Sequence, residues 1–548
     1  MSLSTDSSSD HDRLVEHLAW AADRFNALAS RAGDAEQAGD LRSAVVWAQI
    51  AADFAWHRHP GFYVSPFLES LLLRVATSPE ITGSLCLPDL KIPVFDGDHS
   101  KTRILHVITK AYATGGHTRL IERLINNTTD RYVHSIVGTE QESPLPPWLS
   151  SAVTSSGGWY KFLPLITTNL LKRARILRQF RYNWADIVFL HTHPSDALPT
   201  VSFGIDGGPP VLLVNHADHV FGLGSTVADV FADLRLSGQA VSRARRGARI
   251  SKILPIPLIE PPNRTPDSLA REKLHIDRDS VILLTIASSY KYTAFGGYDF
   301  IATVTEVVAR HKQAILLVVG PKAQGRWLEA SRRVEGRIRV LGRQNDLRIF
   351  HDCADIYLDS FPFASLTSML DVGLRGLPVI GLRNPDAPIY TDLDLTLGPS
   401  QTHVGSRDEY LTLLGKMIED EKFRHDKGRE CRERIRGSHL VPGWDVYLRG
   451  VMAALPKSHR VNRPLKLCGK TDANDTFLAG FNDLTEAGYS VDVSIGKHAR
   501  LLPFAERGQL LLQGLRKVDG RKLLPLKAYL GEFPRFLVKS FLASLGKK

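Results

Sequence analysis

Cysteine is scarce: the chain of 548 residues has four, Cys86, Cys353, Cys431 and Cys468, lying far apart. With no C-x-x-C pair and no dense framework, a disulfide-stapled module is excluded, and so is a zinc or thiol-redox motif; reduced thiols are expected. Long hydrophobic runs are also missing. No stretch of about 18 apolar residues reads as a membrane span, and Met1 to Arg13 lacks the basic-then-apolar order of a secretory signal. A soluble or peripheral, cytoplasmic protein is predicted. There is no second copy of any segment to mark a repeat array, and no six-position glycine fingerprint of a dinucleotide site. A basic body is absent too. The formal net charge is +11, but Arg500 to Lys548 holds 11 basic residues against three acids, leaving +3 for everything before it. Nucleic acid is therefore not an expected partner. The basic tail, in which Phe533–Leu545 mixes Leu and Phe with Lys and Arg, has two readings. It is either a segment resting on an anionic membrane surface, at the inner face, or a solvated helical appendage packed on the body.

What is present is organised in four parts. Residues 1–100 read as a helical region and linker: apolar residues recur at three and four spacings from Leu14 to Phe54, and Pro79, Pro88 and Pro93 mark the linker. From Arg103 short apolar runs alternate with helical patterns: Ile104–Ile108, Ser135–Val137, Ile187–Leu190 and Val211–Val214. After the proline-rich stretch 255–266 the alternation restarts with Val281–Ala287, Ala314–Gly320, Arg337–Leu341, Ile356–Leu358 and Pro378–Gly381. Buried parallel strands with crossover helices give this texture. An α/β fold with two Rossmann-like domains, 101–260 and 261–455, is predicted, followed by a basic extension over 456–548.

In such sheets ligands bind beyond the carboxyl ends of the strands. Four places there carry chemistry. Gly115-Gly116-His117 enters a helix, where two glycines permit a tight turn and free amides favour an anion. His191-Thr192-His193 and His216-Ala217-Asp218-His219 follow two strands. Residues two apart share a face, so His191 with His193 and His216 with Asp218 suit a transition metal, or a general base acting on an acceptor. Ser289-Tyr290-Lys291 sets a lysine past a strand, where it can neutralise a diphosphate. The block Ala354 to Ile380 supplies a strand, a small-residue loop and a helix opening with Thr367 and Ser368, a phosphate cradle, with Asp371 one turn deeper to accept from a ribose diol.

From Ala354 to Asp371 the chain resembles the GT-B glycosyltransferases, closest to their O-GlcNAc-transferase-like group, in which an alanine-aspartate strand and a Leu-Asp precede His-Thr-Thr and an Asp four residues after the first Thr. Leu366 stands where that group has His. The group's Tyr-Lys matches Tyr290-Lys291 and its nucleobase loop matches Leu341-Gly342-Arg343. Retaining cousins carry Glu, seven residues, Glu; here Phe363 and Asp371 hold those positions, which favours inversion. The resemblance covers about residues 103–455 and includes the Trp444 helix, which in this fold crosses back to the first domain. It implies a glycosyltransferase with a nucleotide-sugar donor, a UDP-sugar favoured, held by Ser289, Tyr290, Lys291, Gly342, Arg343, Thr367, Ser368 and Asp371. It implies a protein, glycan or lipid-linked acceptor and no cofactor. Base candidates on the first domain rank Asp218, His117, His219, with His216 beside them. Two other readings stand: a metal-dependent hydrolase built on His191, His193, His216 and Asp218, and a non-catalytic sugar-nucleotide-binding protein.

Overall fold

Strands β1 (Thr102–Ile108), β2 (Tyr132–Gly138), β3 (Tyr160–Phe162), β4 (Ile187–His191), β5 (Val211–Asn215), β6 (Val230–Asp233) and β7 (Ser251–Ile253) form one parallel sheet in the order β3-β2-β1-β4-β5-β6-β7. Strands β8 (Val281–Ile286), β9 (Ala314–Val319), β10 (Ile338–Val340), β11 (Ile356–Leu358) and β12 (Val379–Ile380) form a second, in the order β10-β9-β8-β11-β12. The computed structural model describes residues 7–83, 100–113, 115–165, 168–262, 267–384, 387, 404–467 and 469–517. Helices cover both faces of each sheet, which is why β8 and β9 are buried along their whole length and read as unbroken Val, Ile and Leu. The order reverses beside β1 and beside β8, as in doubly wound folds, and the loops after β1, β5, β6, β8 and β11 converge on one cleft. This is the GT-B architecture.

One apolar cluster spans both sheets, joining Ile104, Phe189 and Val214 of the first to Tyr357 and Met369 of the second and to Trp444. The helix Gly443–Met452 crosses back as the resemblance implies. Its Trp444 Nε1 donates to Pro255 O at 2.7 Å, and Arg131 pairs with Asp445 at 2.6 Å.

The amino-terminal region folds as three long helices, Ser7–Gln37, Leu41–His57 and Pro66–Ala76, with a short fourth turn at Pro79–Thr82. The side chain of Asp40 caps the second and Ser65 the third. They are not a separate unit. Trp47, Phe54 and Leu72 share a core with Val107 and Val201 of the first sheet. Glu69, fully buried, accepts the amides of Gly224, Ser225 and Thr226 at 2.7, 3.2 and 3.0 Å.

The expected extension over 456–548 differs more. Residues 456–510 run back along the first domain and join its core through Val461, Ile495, Leu501 and Leu510. Buried polar bonds secure them. Asp475 of the helix Ala473–Thr485 takes His59 at 2.7 Å and Arg245 at 3.0 Å, and His459 meets Asp229 at 2.7 Å. Such partners, hundreds of positions away, leave no periodic trace in sequence. In the tail, Arg500 pairs with Glu142 and Glu506 accepts from Ser43 at 2.6 Å. Phe533–Leu545, on which the membrane reading rests, lies outside the described residues, as do Cys86 and Cys468; Cys353 and Cys431 are buried. No described helix is long and apolar enough to cross a membrane.

Candidate functional site

The cleft between the domains contains a cavity of about 180 Å³. From the first domain Gly116, His117, His216, Asp218 and His219 line it; from the second come Lys291, Leu366 and Thr367. Strand ends place them. His117 is the second residue of the helix Gly116–Asn126 that follows β1, and His216 directly follows β5. Lys291 lies in the 3-10 turn Ser289–Tyr292 after β8, and Thr367 opens the helix Thr367–Leu374 after β11.

The paired glycines do two different things. Gly115 has φ of 121°, outside what side chains accept, and turns the chain into the helix. A Cβ on Gly116 would lie 2.7 Å from Thr367 Cγ2, so its bareness lets the two domains approach.

Lys291 is half-buried. Its Nζ donates to Ala364 O at 2.7 Å and lies 4.7 Å from the centre of the Phe363 ring. Burial lowers its pKa to about 8, Asp359 opposing and Arg235 adding to the fall. Asp359 itself is buried and shapes the loop: it accepts from the Ser365 amide at 3.0 Å and from the Ser365 hydroxyl. Ser365 in turn meets Tyr357 Oη at 2.8 Å. These bonds hold Leu366 at φ of 27°, a conformation L side chains rarely take, immediately before the helix Thr367–Leu374, whose start borders the cavity through Leu366 and Thr367.

On the opposite wall the imidazole tautomers are fixed by carbonyls. His117 Nε2 donates to His191 O at 2.9 Å and His216 Nδ1 to Val214 O at 3.2 Å. That leaves His117 Nδ1 and His216 Nε2 as lone-pair nitrogens, the rings 4.2 Å apart. Burial lowers both pKa values, so both rings are neutral near pH 7.

Asp218 is differently occupied, and the expected order of bases changes. Arg235 grips both its oxygens, Nε to Oδ2 at 2.7 Å and Nη2 to Oδ1 at 2.8 Å, while His219 Nδ1 is 3.3 Å away. Burial works to raise the Asp218 pKa, but the Arg235 charge outweighs it and holds the carboxyl well below the usual range. A carboxylate so paired is a weak proton acceptor. Arg235, 17 positions along the chain, carried no sequence signal.

Asp371 does not line the cavity. It pairs with Arg123 of the first domain at 3.0 Å through one oxygen, pinning the domains together. Ser368 is half-buried and does not line the cavity. Ser289 is exposed, and Tyr290, 45% exposed, meets the edge of Phe363. Gly342 has φ of 68° and accepts from the Gly320 amide at 2.8 Å, with Arg343 exposed beside it. All six follow strands of the second sheet on its carboxyl side.

The set His191, His193, His216 and Asp218 does not come together as metal ligands. His191 Nε2 bonds His106, His193 Nδ1 meets Ser195 at 2.8 Å, and Asp218 is held by Arg235. Among the described residues no three His, Cys, Asp or Glu side chains converge as a metal site. The hydrolase reading is corrected on that geometry.

No family model and no curated protein matches the chain. Similar solved structures include a mutant O-GlcNAc transferase of Thermobaculum terrenum, 13% identical with a TM-score of 0.47 over 85% of each chain. Another is Anabaena HepE in complex with UDP and glucose, 13% identical, TM-score 0.48, covering 65% of this chain and 100% of that one. A glycosyltransferase from Rickettsia africae is 14% identical, TM-score 0.48, over 65% and 99%. At these identities and scores the likeness assigns neither substrate nor residue roles, and the fold rests on the strand order described above.

Proposed function

We propose that the chain is a glycosyltransferase that moves a sugar from a nucleotide-diphosphate donor, a UDP-sugar by preference, to an acceptor in the interdomain cleft, with inversion and without a metal. One observation carries the reading: a single cavity sets the Lys291 ammonium and a helix amino terminus on one wall against two neutral, lone-pair-bearing histidines on the other.

The two walls divide the chemistry. An acceptor oxygen attacks the anomeric carbon while the bond from that carbon to the diphosphate oxygen breaks, its electron pair leaving with the diphosphate. Lys291 and the amides opening the Thr367 helix stabilise that negative charge. The acceptor proton passes to His117 Nδ1 or His216 Nε2. Tyr290, Gly342, Arg343 and Asp371 would serve the donor from the second domain, Asp371 meeting the ribose with the oxygen Arg123 leaves open. The cytoplasmic placement at a membrane's inner face belongs to this proposal and rests on the tail.

A thermal-shift panel of UDP, GDP, dTDP and CMP sugars tests it without an acceptor, because a bound ligand stabilises by mass action. A shift with one nucleotide diphosphate, abolished in Lys291→Ala, is expected. No shift with any of them would sink the proposal.

A further inference from the structure

The helix Ala473–Thr485, part of the returning segment, stands where the two domains and the amino-terminal helices meet. Polar bonds fix it to the first domain and the amino-terminal region: Asp475 holds His59 and Arg245, and Arg58 donates to Asp483 at 3.3 Å. Its apolar side meets the second domain. Phe477 and Phe481, four apart and so on one helix face, are buried and form a small apolar cluster with Phe295 and Phe363. Gly480 lets three parts of the chain approach: a Cβ there would collide with Phe295 Cζ and lie 2.6 Å from Leu14 Cδ2.

Phe363 carries this packing into the donor wall. Its ring stacks on Phe481, centroids 6.0 Å apart with 28° between the planes, and Phe481 stacks on Phe477 at 6.2 Å and 8°. The same Phe363 ring has the Lys291 ammonium 4.7 Å from its centre, with His219 edge-on at 5.1 Å and Tyr290 at 5.8 Å. It acts on the ammonium in two opposed ways. The ring face attracts the cation, which raises the lysine pKa, and the ring's bulk keeps water off, which lowers it. Since the pKa falls to about 8, burial dominates. A Phe363 ring freed to turn would uncover Lys291 and let that pKa rise. The charges bearing on Lys291 are Asp359 and Arg235, with His219 beside it and Tyr290 on its own turn; Glu486, just past the helix, acts on Tyr290. Replacing Phe481 removes none of them.

We propose that Phe481 is a positioning residue for the donor: through Phe363 it holds the Lys291 ammonium in place, which makes a helix from outside both Rossmann-like domains part of the donor site. The inference rests on the glycosyl-transfer reading only in calling the ligand of Lys291 a donor diphosphate. The helix is anchored on the first domain and grips a loop of the second, so the setting of Lys291 depends on how the two domains stand.

The test uses full-length protein with Phe481→Ala and the milder Phe481→Leu, which carries the test should the alanine variant not fold. Ile495→Ala is the control: it opens the first domain's core and leaves the aromatic cluster intact. Acetylation of Lys291 against pH, read by mass spectrometry with no ligand present, should show an inflection at about 8 in wild type. The inflection should move up by about one pH unit in Phe481→Ala, less in Phe481→Leu, and stay in place in Ile495→Ala. Calorimetric titration of UDP at pH 7 should show affinity several-fold weaker in Phe481→Ala and unchanged in the control. Because the lysine then stays charged, that affinity should fall less between pH 8 and 9 than it does in wild type. An inflection unmoved in both Phe481 variants, one moved equally by Ile495→Ala, or UDP affinity in Phe481→Ala equal to wild type would overturn the inference. A shifted inflection in a protein that binds no UDP would overturn the transfer reading and leave the positioning of Lys291 standing.

Discussion

Lys291 gives the donor site a dependence on pH whose direction is fixed. With a pKa of about 8 in the free protein, about nine in ten of these side chains are charged at pH 7 and about one in ten at pH 9. The diphosphate is fully ionised over that range, because a terminal phosphate loses its last proton near pH 6. Binding therefore draws on a charged fraction that shrinks above pH 8, and UDP affinity should fall from there by up to tenfold per unit. Folding stability of the free protein should move the other way. The fold lowers this pKa, so between about 8 and the unfolded value of 10.5 the unfolded chain holds more protons and stability rises with pH. Lys291→Met removes a charge-assisted contact worth about 1.5–3 kcal/mol, a loss of about ten- to 150-fold in affinity, and should flatten the profile. Lys291→Arg, always charged, should keep affinity above pH 8. Calorimetric titration of UDP from pH 6.5 to 9.5 measures all three. A wild-type profile that is level through pH 8, or a Lys291→Met protein that binds as tightly as wild type, would refute the reasoning.

Replacing His117 or His216 by Ala should leave UDP affinity unchanged, while kcat falls by about 10²–10⁴ for whichever ring accepts the proton and less for the other; steady-state kinetics separates them. Arg235→Ala leaves Asp218 a buried carboxylate with its cation gone and only His219 beside it, and should cost about 3–5 kcal/mol, read by urea unfolding. Glu69→Gln turns an amide toward donors that now meet a carboxylate, and a loss of about 1–3 kcal/mol is expected in the same assay. In liposome flotation, truncation after Lys517 should abolish binding to anionic vesicles if the tail rests on membranes; equal flotation would remove that reading.

The strands legible in sequence were those buried on both faces, such as Val281–Ile286 and Ala314–Val319, where burial forces an unbroken apolar run. Three were not visible. β3 is an edge of three residues with Tyr160 exposed, β7 is equally short, and β6 ends in Asp233, a buried acid satisfied by Asn215, Ser242 and Ser251. The donor wall was legible because its pieces are contiguous, a strand, a loop and a helix start. The state of each acid was not, since Asp218 depends on Arg235 and Asp371 on Arg123, 248 positions away. Two buried histidines did leave a mark that was missed: His106 and His134, bonded to each other at 3.0 Å, interrupt otherwise apolar strands, where a polar side chain must find a buried partner.

The return of residues 456–510 into the first domain's core also sets an order of assembly. On a ribosome the sheet of the first domain emerges by residue 260, yet helices that seal its core follow some 250 residues later. At about 5–20 residues per second that is a wait on the order of ten to fifty seconds, during which the second domain can close first. A nascent chain interrupted before residue 500 would then carry a finished donor half beside an acceptor half still open to solvent.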